Sequence, residues 1–162
     1  MTTRFIKAAF AGTVFAAAFA ATGAQAATAT ATAKAKILSP ITVTKTADLD
    51  FGTIITSGAA ANVTVSTAGA RTCGGTLVCT NPVTAAAFNI AGSVAAVNIS
   101  SDASVSLTSG ANTMSATLNT SKATSPMTGG TDSFTVGGVL SVGATQADGS
   151  YSGTFTVTVN YQ

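Results

Sequence analysis

At 162 residues the chain is long enough for one domain with an ordinary core plus an export segment, and short for two well-buried domains. Charged residues make up 7% and aromatics 6%, Thr fills thirty positions, and there is no His, Trp or Glu, so the groups most used for acid–base catalysis are largely missing and no enzyme is expected. Arg4 and Lys7 account for the whole net charge of +2; the remainder balances at zero and offers nothing basic to hold nucleic acid.

The first segment has the pattern of an export signal. Met1 to Lys7 carries two positive charges, Ala8 to Ala21 is a weakly apolar run, and Ala24-Gln25-Ala26 supplies the small residues of a cleavage site after Ala26. The run is shorter than the ~18 to 20 residues that cross a bilayer, so no membrane span is expected after cleavage. The expected organisation is a signal peptide over 1–26, an alternating strand over 27–39 and a β-sandwich over 40–162, placed in the periplasm, at the cell surface or outside the cell.

From Ala29 to Phe51 the chain alternates. Ala29, Ala31, Ala33, Ala35 and Ile37 begin one face, while Thr and Lys fill most of the other. A straight strand of that length would span roughly 73 Å, too long for a compact domain of about 14 Å radius of gyration. Pro40 lacks a ladder donor and is the natural break, so the stretch before it either folds back or leaves the domain. Further along, Cys73 and Cys79 are the only cysteines, and in an exported chain they are expected to close one local disulfide. Such a loop contributes roughly 2 to 2.5 kcal/mol by restricting the unfolded chain. With no His and no third Cys, neither a zinc site nor any other cofactor is expected.

Further period-two runs lie at Asn62 to Ser66, Ala86 to Ala91, Val97 to Ser100, Ser104 to Thr108, Thr113 to Leu118, Ser133 to Val142 and Tyr151 to Tyr161. Gly58, Gly110, Gly130 and Gly149 mark turns between them. An all-β antiparallel sandwich follows. Its inner faces are expected to hold Phe88, Ile90, Val97, Ile99, Val105, Leu107, Met114, Leu118, Phe134, Val136, Leu140 and Val142. The strongest alternation comes late, with Tyr151, Gly153, Phe155, Val157, Val159 and Tyr161 on one face; an unpaired row beside such a strand recruits another chain.

Motifs for chemistry are absent. Gly149-Ser150-Tyr151-Ser152-Gly153 puts Tyr where a nucleophile elbow needs Ser, and the adjacent Ser121 and Lys122 point to opposite faces of a strand or sit in a solvated loop. Asp48, Asp50, Asp102, Asp132 and Asp148 lie mostly in turn-like contexts and read as caps and turns rather than a calcium loop.

The order of landmarks carries a resemblance: the alternating N-terminal stretch, Leu49-Asp50-Phe51-Gly52, Ala87-Phe88-Asn89-Ile90, then the run from Phe134 to Leu140, and finally Gly149-Ser150-Tyr151-Ser152-Gly153 leading into the alternation that ends at Tyr161. The chain resembles the domain of unknown function 4402 family, and is more distantly similar to spore coat U and archaic chaperone-usher pilin subunits. The pilin resemblance implies an incomplete immunoglobulin-like sandwich whose groove, beside Tyr151 to Tyr161, receives a neighbour's N-terminal strand; here that strand is Ala29 to Ile37. It also implies other copies or related surface subunits as partners, with a periplasmic chaperone and an usher. One departure is visible, since four of the five donor residues are Ala, which bury far less surface than Val or Leu. Two functions are therefore expected: an exported, non-enzymatic, pilin-like structural subunit, or alternatively a monomeric secreted module that binds a carbohydrate or protein through loops including Cys73 to Cys79.

Overall fold

The structure is a computed structural model describing residues 26–162. The export signal expected over 1–26 therefore lies outside the described residues, apart from Ala26. The chain divides into two units, with the boundary between Ala35 and Lys36. In the first, residues 26–35 are exposed and take part in no ladder. The alternation that marks Ala29 to Ala35 as strand-like therefore has no strand partner among the described residues.

The second unit is all-β and antiparallel. Its strands are β1 (Thr42–Ala47), β2 (Thr53–Ile55), β3 (Ala61–Val65), β4 (Arg71–Cys73), β5 (Val78–Thr80), β6 (Ala86–Ala91), β7 (Val97–Ser101), β8 (Ser104–Ser109), β9 (Asn112–Thr120), β10 (Thr124–Ser125), β11 (Thr131–Val142) and β12 (Val157–Tyr161). One sheet is organised on β11. Its first half pairs with β6, which pairs with β1; its second half lies between β3 and β9, and these lead on to β4 and β8. The opposing sheet runs β10-β7-β12. This is an immunoglobulin-like arrangement in which β1, β6 and β11 form one layer and β7 and β12 the other.

Alternation places the core. Two clusters fill the interior: Val63, Val65, Val105, Ala116, Leu140 and Val142 with Phe51 and Leu77, and Phe88, Ile90, Val97, Ile99, Phe134 and Val136 with Ala86 and Met127. Phe88 stacks on Phe134 at 5.1 Å between ring centroids and meets Phe155 edge-on at 6.4 Å. Leu107, Met114 and Leu118 are only partly buried at the margin of the core. Met127, in contrast, is buried in the loop before β11 at φ 42°, a left-handed conformation uncommon for a residue other than Gly.

Two features depart from the alternation pattern. The first strand begins at Thr42, after the Pro40 break, and the late one forms a ladder only from Val157, with Ser152 bridging Thr108. Asp102 causes the interruption, because its carboxylate accepts the Thr156 N–H at 2.7 Å while its own N–H donates to Thr156 O at 3.0 Å. The short β2, β4 and β5 are held by Arg71, whose guanidinium donates to the carbonyls of Thr80, Asn81 and Cys79 at 2.9, 2.7 and 3.1 Å. The disulfide between Cys73 and Cys79, Cα atoms 6.2 Å apart, closes the same loop. Gly52 fits here for two reasons: its φ is +73°, and a Cβ would meet Thr80 O at 2.8 Å and the Arg71 guanidinium at 2.9 Å.

Lys122 and Asp132 secure the crossover from β9 to β11, with Nζ 3.0 and 2.8 Å from the two carboxylate oxygens, and the buried Ser125 hydroxyl bonds the same carboxylate. The Lys122 ammonium first, and the Ser125 hydroxyl second, hold the Asp132 carboxyl at about 2, below its ordinary 3.8. Because the folded value is depressed, the stabilisation is complete above about pH 4 and lost as pH falls through about 2. Denaturant midpoints of the wild type and Asp132→Asn should therefore converge across that window, and a gap independent of pH would contradict the assignment.

Candidate functional site

β1 and β12 are edge strands of opposite sheets, each paired on one side only: β1 with β6 and β12 with β7. Both flank the cluster around Phe88 and Phe134, against which Ile41, Leu49, Phe155, Val157, Val159 and Tyr161 pack without being fully buried. No ladder joins the two strands. The next strands inward are sealed, for Val97 and Ile99 of β7 and Phe88 and Ile90 of β6 are buried. On β1, Val43 stands opposite Ile90 and Lys45 opposite Phe88, so both lie on the core-facing side, yet both remain exposed. The core is thus open along the seam between these strands.

The backbone of β12 is open on the same side. Gln162 N donates to Ala96 O and Thr156 O accepts from Asp102 N, so even-numbered residues bond to β7. By the antiparallel rule Val157, Val159 and Tyr161 then turn their N–H and C=O groups to the free edge.

The seam has unlike ends. At one, the Tyr161 hydroxyl accepts from Ser93 N at 2.7 Å and donates to Ser39 O at 2.8 Å, while Ser39 N donates to Ser93 Oγ at 2.7 Å. Gly92 leaves the room for that phenol, since a Cβ there would collide with it. The Ser39 carbonyl, at the root of the N-terminal arm, is thereby pinned to Tyr161 at the end of β12, and its N–H to Ser93 in the turn after β6. At the other end, residues 49–56 and 146–151 part around a cavity of about 810 Å³, with Leu107, Met114, Leu140 and Val142 in its lining and the exposed carboxylates of Asp50 and Asp148 beside them. Gln146 Nε2 donates to the Tyr151 hydroxyl at 2.7 Å, and that hydroxyl donates to Ala147 O at 2.8 Å, which shapes the wall.

A family model described as domain of unknown function (DUF4402) matches residues 41–161. The chain belongs to the DUF4402 family. No curated protein and no solved structure matches it. The DUF4402 match runs from the root of β1 to Tyr161, so it spans both walls of the seam and leaves the arm outside.

The structure gathers the late alternating residues along the seam: Phe155, Val157, Val159 and Tyr161 face it, Tyr151 lines the cavity, and Gly153 lies tight against β8 at Ser106 O. Of the arm residues, Ile37 is 94% exposed. The loop of Cys73 and Cys79 is separate in character, because Leu77 turns into the core while Val78 and its partner Ile55 remain exposed. Ser121 and Lys122 have structural partners, as Ser121 Oγ accepts the Thr135 N–H at 3.0 Å and Lys122 pairs with Asp132. The Ser39–Ser93–Tyr161 clamp has no local signature. Tyr161→Phe keeps the ring and removes the clamp; it should cost about 1–3 kcal/mol and speed hydrogen exchange at Ser93, and unaltered exchange there would contradict the role given to the phenol.

Proposed function

We propose that this chain is an exported, non-enzymatic structural subunit, pilin-like in its assembly, in which the N-terminal strand of one copy completes the seam of the next. The observation that carries the reading is the free edge of β12 beside a core left open between β12 and β1. A strand added there would take up the unused N–H and C=O groups of Val157, Val159 and Tyr161, and its inward side chains would cover the half-exposed apolar row. The segment 27–39 has the required alternation and lies in no ladder.

Insertion of one copy's arm into the next is a heterologous contact that does not close on itself, and so generates fibres. The Ala-rich face makes the apolar gain modest, and the main-chain ladder supplies most of the hold. A periplasmic chaperone covering the same edge would keep subunits apart before assembly, and an usher would order their addition.

Deletion of Ala27 to Lys36 tests the reading, since these residues lie outside the family match and the last ten of the first unit are exposed. Sedimentation of the processed chain should show oligomers that grow with concentration, and the deleted chain should be monomeric. Identical monomers in both would refute donor-strand assembly.

A further inference from the structure

The cavity between residues 49–56 and 146–151 joins an apolar floor to two carboxylates that have no cation. We propose that it binds an apolar amine: a compound whose alkyl or aryl body sits on the floor and whose protonated nitrogen is held by Asp50 and Asp148.

Size and permanence come first. A volume of about 810 Å³ falls within the range of small-molecule sites, roughly 300 to 1,000 Å³. An apolar cavity persists only where its walls cannot collapse, and here each wall is tied to a different part of the fold. Residues 49–56 are held from outside. Asp50 and Thr84 exchange backbone hydrogen bonds at 2.9 and 3.1 Å, Asn81 Nδ2 donates to Thr53 Oγ1 at 2.8 Å, and β2 pairs with β5. Residues 146–151 are held by the hairpin of β8 and β9. Gln146 Nε2 donates to Thr113 O at 3.3 Å as well as to the Tyr151 hydroxyl, and Ser152 exchanges backbone bonds with Thr108 at 2.8 and 3.1 Å. Among the described residues no hydrogen bond crosses from one wall to the other.

The lining selects the ligand. Leu140 and Val142 are buried beneath, with Leu107 and Met114 half-covered beside them, while Asp50 and Asp148 stand exposed, one on each wall. Every other charged side chain of the sandwich is engaged: Lys45 with Asp48, Lys122 with Asp132, Arg71 with three carbonyls, and Asp102 with the Thr156 N–H. The Asp50 carboxylate accepts the Gly52 N–H at 2.8 Å, and among the described residues no ion pair reaches it or Asp148. An anion would meet two like charges. A bare divalent ion takes six or more oxygen ligands and would find an apolar floor instead. A cation carried on an apolar body satisfies both halves of the lining. No residue of β12 lines the cavity, so amine binding does not depend on donor-strand assembly.

The two methionines after Met1 supply the readout, for Met114 lines the cavity and Met127 is buried in the cluster of Phe88 and Phe134. Octylamine is the probe, with octanol and octanoate as its neutral and anionic counterparts. Titrated into the dilute processed chain and followed by methyl NMR, octylamine should shift the Met114 methyl saturably and leave Met127 in place. Octanol should bind roughly two- to tenfold more weakly, the modest selectivity that exposed carboxylates supply, and octanoate more weakly still. Hexylamine, two methylenes shorter, should lose roughly tenfold. Asp50→Asn combined with Asp148→Asn should bring octylamine down to the level of octanol and leave octanol unchanged; both side chains are exposed, so the fold is retained. Shifts at both methyls, or at neither, would overturn the site. Octanol or octanoate binding as tightly as octylamine, or octylamine binding unchanged in the double variant, would overturn the amine. A Met114 shift on concentrating the protein alone would assign the cavity to a second copy and overturn the small ligand.

Discussion

A strand in a sandwich must find hydrogen-bond partners for its backbone and cover for its apolar face, and β12 has both on one side only. On the β7 side its ladder is complete and its neighbours Val97 and Ile99 are buried. On the other side Val157, Val159 and Tyr161 keep unused backbone groups and half-covered side chains, facing β1 across an unpaired seam. Edges of this kind recruit other strands unless something blocks them. Lys45, projecting from the core-facing side of β1, is a partial block, and its pairing with Asp48 holds its charge at the rim. The rest of the molecule keeps this seam in shape: the stacked Phe88 and Phe134 form its floor, the Tyr161 clamp closes one end, and the 146–151 wall opens the other.

The clamp links two parts of the fold that alternation treats separately. Its phenol belongs to the row that lines the seam, yet both of its hydrogen bonds go to the far side, to the root of the arm at Ser39 and to the turn after β6 at Ser93. Pro40 follows Ser39 and biases it toward extended geometry.

Period-two alternation located β6, β7, β8, β9 and β11 to within a residue or two, because each buries one face and exposes the other. It was silent on β2, β4, β5 and β10, which are two or three residues long and are fixed by distant partners such as the Arg71 guanidinium. The turns at Gly58, Gly110 and Gly130 were legible, and all three have positive φ. Arg71 itself was not, since an isolated cation in a polar loop gives no hint that three carbonyls converge on it. For the site, alternation marked both the arm and the β12 row but not whether they meet within one chain. That depends on where Ser39 is tethered, through bonds to residues 54 and 122 positions away.

Residue-resolved hydrogen exchange along β12 tests the central claim most directly. In the dilute full chain the amides of Thr158 and Asn160, bonded to β7, should be protected, while those of Val157, Val159 and Tyr161 exchange quickly. On concentration into oligomers the second set should become protected with the first unchanged. Protection of Val157, Val159 and Tyr161 already in the dilute monomer, or fast exchange there at every concentration, would contradict an open edge completed by another copy.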